Sequence, residues 1–471
     1  MSKKRVLQDE NEETTEYLVD IMHERNIYKN NSPNFLKLAE EYESFQPFVK
    51  EVKKDGQVKG YIDFKDPNAV RELTCCLLKR DFKLSIEIPL NRLCPPIPNR
   101  LNYILWIEDL LNETTTNHQN NQTIYGIDMY GLHIGIGASC IYPLLGCQQN
   151  QHWKFLGTEI DQESLNYAKE NVNRNQLQDR IFLFLNDDPN RIFLLDKLDE
   201  SIQYSFCMCN PPFFESEQEL KSGLENKELE PSAVCTGTPS EMITDGGEFG
   251  FIQKMIMESL KYKQRILWYT TMIGLKKTIR PIIQILKQHD INNYVVTEFC
   301  QGRTKRWGLA WSFTSNRIVK SNSLEYYRPK SQFTIDLPVP LLVANKYLDD
   351  ILSDLDITIA SKETATHDLI IIVITPTRNT WSRSARRQRK RQKLLQEQQG
   401  QIESIINTNE QNISLKIEFI LSTHKEKEKA CRVDCSWLQG DDRTLFESLW
   451  NHIKKRIEQD SGIVRGSAFQ E

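Results

Sequence analysis

The run Tyr204-Ser-Phe-Cys-Met-Cys-Asn-Pro-Pro-Phe-Phe214 joins an apolar strand candidate to a rigid turn. Residues 204–209 are short, apolar and followed by a turn signal, which is typical of a buried strand. The two prolines fix the backbone, so the strand cannot continue through them. A bare Asn-Pro-Pro tripeptide often does nothing more than end a strand. The pattern on either side therefore decides what this run means.

Between about residues 123 and 313, apolar strand candidates alternate with amphipathic helix candidates, which is typical of βαβ units on a parallel sheet. This predicts an α/β, Rossmann-like domain in which residues 204–209 are the fourth strand. Asn210 then lies at the carboxyl edge of the sheet, where open sheets bind ligands. The other strand candidates are Trp153–Ile160, Ile181–Leu185, Arg265–Tyr269, Val295–Cys300 and Trp307–Phe313.

Length and composition divide the chain further. Its 471 residues predict two or three domains at about 150 residues each. We expect a disordered acidic tail at 1–20, the Rossmann-like domain with an N-terminal extension at 21–315, a linker at 316–332 and an α+β domain at 333–460. The net charge of -4 gives no overall attraction to nucleic acid.

Eleven cysteines without paired CxxC motifs predict reduced, mostly buried thiols and no metal site. The longest apolar run, Leu369–Ile374, is too short to span a membrane, and the N-terminus lacks an apolar signal core. We therefore expect an intracellular protein that is neither secreted nor bound to a membrane.

The Asn210–Phe214 run suits one kind of chemistry. An amide or aromatic NH₂ group is a poor nucleophile, because its lone pair is delocalised. The Asn210 side-chain oxygen and the Pro211 carbonyl can both accept hydrogen bonds from such a group and orient its nitrogen, while Phe213 or Phe214 stacks on a flat substrate. Positioning of this kind supplies most of the rate without a strong general base.

A nucleotide-like cofactor is indicated upstream. Gly131-Leu-His-Ile-Gly-Ile-Gly-Ala-Ser139 is a small-residue turn between strand and helix that lets the backbone approach a ligand closely. Glu159 ends the next strand, 24 residues after Gly135, where a carboxylate can accept from both ribose hydroxyls. The absence of a GxGxxG triplet argues against a dinucleotide. Gly135, Gly137, Glu159 and Asn210 together fit S-adenosylmethionine.

The sequence resembles the methyltransferase-like sixteen family of RNA adenosine N6-methyltransferases over roughly residues 22–315. Members of that family have a Rossmann-like class I methyltransferase domain and modify U6 small nuclear RNA in an ACAGAGA-type loop. The matching runs are Met22–Asn26, Phe64–Thr74, Arg100–Ile104, Gly137–Gly146, Phe206–Phe214 and Thr297–Thr304.

The resemblance implies roles for individual residues. Asn210, Pro211, Pro212 and Phe213 would hold the adenine. Further RNA contacts would be Arg25, Lys29, Lys65 and Arg92, although Ile27 replaces a family arginine. The implied cofactor contacts are Arg100, Gly135, Ser139, Glu159, Asn190 and Asn210.

Two departures from the family pattern stand out. The family's glycine motif reads GIDIGTG, whereas this chain carries His133 for the acid and Ile136 for the threonine, with a copy of Gly-Ile-Asp just upstream at 126–128. A family lysine that regulates the enzyme through the loop before the fourth strand is replaced by Pro189. The first departure puts cofactor affinity in question, and the second puts cofactor-sensing autoinhibition in question.

Two basic stretches are candidates for binding structured RNA. Arg303, Lys305 and Arg306 stand at a strand turn that we expect near the catalytic edge. The run Arg383–Lys393 has seven basic residues in eleven, including Arg383, Arg386, Arg387, Arg389, Lys390 and Arg391. Such a run is either a phosphate-binding helix, whose affinity depends on salt, or a nuclear localisation signal, and both can hold at once. We therefore expect a nuclear protein.

The C-terminal domain resembles the family's vertebrate conserved region, a kinase-associated-like fold that binds the U6 internal stem-loop. Two other functions stay open from the residues alone. Protein glutamine methyltransferases carry a similar Asn-Pro-Pro-aromatic motif but would not need the basic C-terminal domain. A non-catalytic RNA-binding factor would tolerate the altered glycine turn, but it would not need Glu159 and Asn210.

Overall fold

A computed structural model describes residues 22–54, 57–116, 128–197, 200–220, 236–301, 304–319, 324–387, 391, 413–424 and 427–462. The predicted acidic tail lies outside these residues. They form two compact units, one of residues 22–314 with 324–328 and one of residues 315–319 with 329–462. The chain passes from one unit to the other within or next to residues 316–332, the segment predicted to be a linker.

Unit 1 contains nine strands and eight helices whose bounds lie within its described residues, and residues 217–220 are helical as well. The helices are α1 (Phe35–Glu41), α2 (Pro67–Phe82), α3 (Ile97–Thr116), α4 (Ile141–Gln149), α5 (Gln162–Arg174), α6 (Pro239–Met242), α7 (Gly247–Tyr262) and α8 (Lys276–Gln288). The strands are β1 (Val49–Lys54), β2 (Gln57–Ile62), β3 (Met129–Ile134), β4 (Trp153–Glu159), β5 (Ile181–Leu185), β6 (Tyr204–Cys209), β7 (Ile266–Ile273), β8 (Asn293–Gln301) and β9 (Thr304–Ser312). Short 3₁₀ turns occupy Glu43–Phe48, Leu195–Lys197, Lys263–Arg265 and Glu325–Tyr327.

Helix starts in unit 1 follow from local chemistry. Asp66 caps α2 by accepting from the Asn68 amide at 2.9 Å, and a proline occupies the first turn, where its missing N–H costs nothing. Asp161 caps α5 by accepting from the Ser164 amide at 2.9 Å. This second cap places the start of α5 immediately after the end of β4.

Seven strands of unit 1 form one sheet in the order β5-β4-β3-β6-β7-β9-β8. The pairs from β5 to β7 are parallel, and β9 runs antiparallel to both β7 and β8. The order reverses between β3 and β6, so a crevice forms at their carboxyl ends, as expected for a Rossmann-like methyltransferase. The fold class predicted from the sequence is confirmed. The sheet buries side chains on both faces, with Leu132, Phe206, Cys207 and Trp268 fully enclosed.

The hairpin of β1 and β2 is a separate two-stranded sheet that the sequence patterns did not predict. Its strands carry alternating charges and few buried side chains, with Ile62 enclosed while Val52 and Tyr61 are about half exposed. A strand without a buried face gives little hydrophobic periodicity, which explains the omission.

Unit 2 is an antiparallel sheet with helices packed on one face. The strands β10 (Gln332–Leu337), β11 (Ile359–Thr366), β12 (Leu369–Ile374), β13 (Leu415–His424) and β14 (Lys427–Gly440) pair in the order β10-β14-β13-β12-β11. Helices α9 (Leu341–Asp354) and α10 (Arg443–Asp460) share a core with the inward-facing residues of β12 and β13. Residues 383–387 and 391 are helical and belong to the predicted basic helix.

Arg317 fixes residues 315–319 to the sheet of unit 2. Its guanidinium lies 4.2 Å from the Trp437 ring and donates to the Gly440 carbonyl at 2.7 and 3.0 Å. Burial lowers the pKa of Arg317 to about 10, which still leaves the guanidinium charged at neutral pH. Residues 316–319 of the predicted linker are therefore an integral part of unit 2.

The ten cysteines among the described residues are free thiols. Across the same residues, no cluster of histidine, cysteine and carboxylate side chains could hold a metal ion. A search of the described helices finds none with the length and apolar character needed to cross a membrane.

Candidate active site

A cavity of about 290 Å³ opens at the carboxyl ends of the central strands of unit 1. Its walls come from the turn after β3, the ends of β4 and β6, the loop after β5, and residues from α3 and α6. The residues that line it include Leu93, Arg100, His133, Gly135, Ile136, Gly137, Ser139, Tyr142, Glu159, Asn186, Pro189, Arg191, Ile192, Asn210, Pro212 and Glu241.

The glycine turn adopts a backbone that only glycine accepts without strain. Gly135 and Gly137 have φ angles of 66° and 62°, in the left-handed region. An added Cβ at Gly135 would meet nothing within 4 Å, so this side of the turn is open to a ligand. Ser139, 6% exposed, stands on the same wall. The turn can thus carry a nucleotide-like molecule against its backbone.

Glu159 ends β4 and faces the glycine turn. Its carboxylate accepts from the Gly137 amide at 2.8 Å and from the Ile160 and Asp161 amides at 2.9 and 3.1 Å. Burial raises the pKa of this carboxyl, and the three backbone donors oppose that shift. The carboxylate is held rigidly at the cavity wall, in a position to accept from hydroxyl groups.

Arg100, from α3, is a buried cation that also lines the cavity. It is 6% exposed and donates to the Tyr142 hydroxyl at 2.7 Å, while its Nε has no partner among the described residues. The guanidinium carbon lies 5.2 Å from the centre of the Tyr142 ring. A buried guanidinium without a carboxylate partner is suited to an anionic group of a ligand.

Asn210 follows β6 directly and lines the cavity. Its side-chain oxygen is buried and accepts no hydrogen bond within the described part of the chain. A buried acceptor left without a donor is costly in a finished structure, so it marks a place where a ligand donor would be accommodated. Pro211 is buried and Pro212 lines the cavity, while Phe213 lies half-buried after them.

The segment after Asn210 is fixed by backbone pairing. The Phe214 amide donates to the Met242 carbonyl at 3.0 Å, and the Thr244 amide donates to the Phe214 carbonyl at 2.9 Å. The Phe213 ring packs so tightly against Gly274 that an added Cβ would lie 2.6 Å from its Cδ1. Phe213 is thereby held in one orientation.

The start of β9 lies close to the Asn210–Phe213 segment. The Arg306 guanidinium carbon lies 5.3 Å from the centre of the Phe213 ring, and Lys305 pairs with Glu298 at 3.0 Å. Arg303 lies outside the described residues. The structure therefore brings Arg306 next to the Asn210–Phe213 segment, as the sequence predicted for the hairpin as a whole.

The predicted RNA contacts of the N-terminal extension lie in different surroundings. Arg25 is half exposed and pairs with Glu108 at 2.5 Å and Asp109 at 2.6 Å. Lys29 pairs with Glu24 at 2.5 Å, and the exposed Lys65 follows β2. Arg25 and Lys29 would have to exchange or share these carboxylates to contact phosphate.

Arg92 is placed differently from the expectation of an RNA contact. It is 5% exposed, donates to Ser164 at 3.0 Å, and pairs with Asp161 at 3.0 Å and Glu163 at 2.5 Å. These partners stand at the start of α5, where the helix dipole and the cap already collect polar groups. The structure places Arg92 as a buried tie between the 90–95 loop and α5.

Asn190 was expected to contact the cofactor, but its side chain is exposed and does not line the cavity. Its backbone amide donates to Asp188 at 3.0 Å. Asn186, Pro189, Arg191 and Ile192 form that wall instead.

In unit 2, Arg383, Arg386, Arg387 and Arg391 are exposed, while Arg389 and Lys390 lie outside the described residues. Ser382 caps this helical segment by accepting from the Ala385 amide at 3.2 Å, and the buried Trp381 donates to Ser448 at 2.8 Å. Proximity to Arg386 is one reason, after burial, why the pKa of His452 is lowered. The basic segment is therefore anchored beside α10.

Several lining residues were not predicted from the sequence. Glu241 accepts from the Leu93 amide at 3.2 Å, and Thr236 donates to the Arg92 carbonyl at 2.5 Å, so residues 236–241 are fixed against the 92–93 loop. The Thr238-Pro-Ser-Glu241 capping box was a local signal for α6, but it does not predict this long-range contact. Tyr142 lies within the Gly137–Gly146 run that resembles the family, but no role was predicted for it.

Comparisons with known proteins agree with this geometry. Residues 17–315 match a family model described as RNA methyltransferase. An RNA N(6)-adenosine-methyltransferase of Danio rerio is 36% identical over 475 residues, which cover 93% of this chain and 97% of that protein. The U6 small nuclear RNA (adenine-(43)-N(6))-methyltransferase of Schizosaccharomyces pombe is 35% identical over 414 residues, covering 85% and 96%.

Solved structures match unit 1 in the same way. The human Mettl16 catalytic domain in complex with a MAT2A 3′UTR hairpin is 44% identical, with a TM-score of 0.57, covering 64% of this chain and 99% of that one. The N-terminal domain of human METTL16 in complex with S-adenosylhomocysteine is 42% identical, with a TM-score of 0.50. The match covers 62% of this chain and 98% of that one. The chain therefore belongs to the RNA methyltransferase family, and within it to the RNA N6-adenosine methyltransferases.

Proposed function

We propose that this protein transfers a methyl group from S-adenosylmethionine to the N6 amine of one unpaired adenosine in a structured RNA, with U6 small nuclear RNA as its substrate. The observation that carries the proposal is the buried, unpartnered side-chain oxygen of Asn210 on the wall of the glycine-turn cavity. The relatives that match along most of the chain are named for this chemistry.

The residues of the cavity fit S-adenosylmethionine, which supplies an electrophilic methyl group on a sulfonium. Gly135 and Gly137 would let the backbone approach the nucleoside, and Glu159 would accept from the ribose hydroxyls. Arg100 is a buried cation that can pair with the carboxylate of the methionine portion. Ser139 would complete the wall of the glycine turn.

Asn210 orients the nucleophile in this proposal. Its side-chain oxygen accepts a hydrogen bond from one N–H of the adenine NH₂, and the Pro211 carbonyl accepts one from the other N–H, so that the nitrogen lone pair turns towards the methyl donor. The amine becomes acidic only as it is alkylated, and it then releases its proton to solvent water. No strong general base is required, because orientation and exclusion of water lower the barrier.

Phe213 provides a flat surface for the adenine. Arg306 lies against this ring and Gly274 supports it, so the stacking surface is formed before RNA binds. A base inside a duplex cannot reach such a pocket, which is why the target adenosine must be unpaired or turned out of its stack.

Unit 2 contributes affinity for the folded part of the RNA. Its exposed arginines at 383, 386, 387 and 391 can neutralise phosphates and release counterions. The same run could direct the protein to the nucleus, and we retain nuclear localisation as part of the proposal.

Methyl transfer to synthetic hairpins tests the proposal. A hairpin with an ACAGAGA-type loop should accept methyl groups, and replacing the target adenosine with inosine, which lacks the N6 amine, should abolish transfer. A paired version of the same loop should be a poor substrate. Equal transfer to the inosine hairpin would contradict the assignment of the N6 amine.

Asn210→Ala tests the role of the carboxamide. We expect at least a 100-fold loss of methyl transfer with nearly unchanged RNA affinity, since positioning and hydrogen-bonding effects of this kind are of order 10²–10³. Asn173→Ala is the matched control, because it removes the same side chain from an exposed position on α5 that does not line the cavity. Comparable activity of Asn210→Ala and this control would contradict an orienting role for Asn210.

A further inference from the structure

His133 occupies the end of β3 in a setting that is unusual for a histidine. It is 1% exposed, lines the cavity, and neither ring nitrogen has a hydrogen-bond partner among the described residues. A histidine buried only for packing normally satisfies at least one nitrogen, because an unmade hydrogen bond in a dry site is expensive. Two unpartnered nitrogens beside a cavity point to a ligand.

The surroundings of His133 contain a cation and an aromatic ring. The His133 and Tyr142 rings are 5.2 Å apart in an edge-on arrangement, and the Arg100 guanidinium carbon lies 5.2 Å from the same Tyr142 ring. Burial, together with the nearby Arg100 cation, lowers the pKa of His133 to about 3. The imidazole is thus neutral at physiological pH and offers one acceptor and one donor.

Arg100 and His133 together suit the α-carboxylate and α-ammonium groups of an amino acid. Arg100 has no ion-pair partner within the described chain and can take a carboxylate. A neutral imidazole acceptor beside it can take an ammonium group, which a second cation could not do. No carboxylate of the chain needs to take part.

We propose that His133 is the acceptor for the α-ammonium group of the cofactor's amino-acid end, and that it acts together with Arg100, which pairs with the α-carboxylate. This inference rests on the proposed function, because it concerns the same cavity and the same cofactor. It assigns a binding role to the residue that replaces the acid of the family's glycine motif. Binding therefore requires no anionic side chain at this position.

Calorimetric binding to the full chain tests the assignment with three probes. S-adenosylhomocysteine carries both charged groups, its desamino analogue keeps only the carboxylate, and 5′-methylthioadenosine has neither. We expect the wild-type protein to bind S-adenosylhomocysteine about 10-fold more tightly than the desamino analogue, as for a hydrogen bond to a charged group. Equal affinity of these two probes for the wild-type protein would overturn the inference without any variant.

His133→Phe removes the acceptor and keeps a flat ring. We expect the preference for S-adenosylhomocysteine over the desamino analogue to disappear, while affinity for 5′-methylthioadenosine stays unchanged. That last affinity also reports whether the variant is folded. His133→Asn, which restores an acceptor oxygen, should recover part of the preference and serves if the phenylalanine variant does not fold.

Tyr142→Phe is the matched control, since it alters the Arg100 partner in the same corner. It should weaken both carboxylate-bearing probes alike and leave their ratio unchanged. A ratio that persists in His133→Phe would reject the role of His133 alone. Failure of the wild-type protein to bind any of the three probes would instead reject the proposed function.

Discussion

At the scale of single residues, the cavity is defined by an unpaired polar atom and by a backbone turn that only glycine can form without strain. Asn210 has an unsatisfied oxygen, and Gly135 and Gly137 hold left-handed backbone angles. The unsatisfied oxygen is unfavourable for folding alone and marks a place for a ligand donor, whereas the two glycines adopt their angles without strain and keep the turn open to a ligand. Glu159 differs, because its oxygens already accept three backbone amides, so it combines a structural role with a binding role.

The carboxyl of Glu159 should make cofactor binding sensitive to acid. Burial raises its pKa above the usual value, so on acidification it gains a proton earlier than an exposed glutamate would. Only the ionised form accepts fully from ribose hydroxyls, so the affinity for S-adenosylhomocysteine should fall as the pH is lowered below neutrality. Glu159→Gln should bind more weakly at neutral pH and lose this dependence. The same pH profile in both proteins would contradict the role of Glu159.

Gly274 should affect methyl transfer through its contact with Phe213. An added methyl group would lie 2.6 Å from the ring, so Gly274→Ala must displace Phe213 or distort the backbone. A misplacement of this size costs about 10- to 100-fold in methyl transfer, while Gly274 is absent from the cavity wall and cofactor affinity should be retained. Kinetics with the hairpin and calorimetry with S-adenosylhomocysteine check the two parts. Parallel losses in both would show a general folding defect.

At the scale of elements, the ends of strands and starts of helices assemble the site. The turn after β3, the end of β4 and the end of β6 meet because their strands are parallel neighbours. Side-chain contacts between distant loops then close the walls. Glu258 on α7 accepts from the Ile192 amide at 2.7 Å and the Phe193 amide at 3.1 Å, which fixes the wall after β5.

Arg92 connects the 90–95 loop to α5, and we expect this contact to contribute to the stability of unit 1. Arg92→Gln should lower the free energy of unfolding of unit 1 by about 1–2 kcal/mol, because Asp161 and Glu163 lose their buried cationic partner, although solvent can still reach both carboxylates. Urea denaturation measures this change. Arg174→Gln, whose pair with Glu87 is more exposed, should cost less. A reduction of the salt slope of RNA binding by about 1 in Arg92→Gln would instead favour a phosphate contact.

Local signals predicted those parts of the site that are contiguous in sequence. The run from β6 to Phe213 and the glycine turn each carry their geometry within a few residues, through proline and glycine. The cofactor-binding position of Glu159 was predicted because this residue ends the strand that follows the glycine turn. Glu241 and Glu258 could not be predicted, because their contacts with the 93 and 192 loops depend on how distant segments pack. Asn190 was inferred by resemblance, and the loop that carries it places neighbouring residues at the wall instead.

At the scale of the whole molecule, the residues proposed for methyl transfer lie in unit 1, and the basic segment proposed to bind phosphates lies in unit 2. Unit 1 holds the cavity, with Arg306 beside Phe213 at its edge. None of the described residues of unit 2 lines that cavity, but unit 2 carries the exposed arginines of the basic segment. A chain with a net charge of -4 can therefore bind RNA only through a local concentration of positive charge.

Charge removal in unit 2 should change RNA affinity without changing the chemistry. Replacing four exposed arginines with glutamine should weaken hairpin binding and reduce the slope of log affinity against log salt by about 3, because each phosphate contact contributes about 0.7–0.9. Transfer at saturating RNA should be retained, since none of the four lines the cavity. The four positions are Arg383, Arg386, Arg387 and Arg391.

The control removes the same number of charges from the surface of unit 1. Helix α8 exposes four cations that are absent from the cavity wall, at Lys276, Lys277, Arg280 and Lys287. If unit 2 binds phosphate at defined positions, the α8 variant should keep the wild-type salt slope. Equal slopes in all three proteins would leave nuclear localisation as the function of the basic segment, and equal reductions would mean that RNA responds to net charge alone.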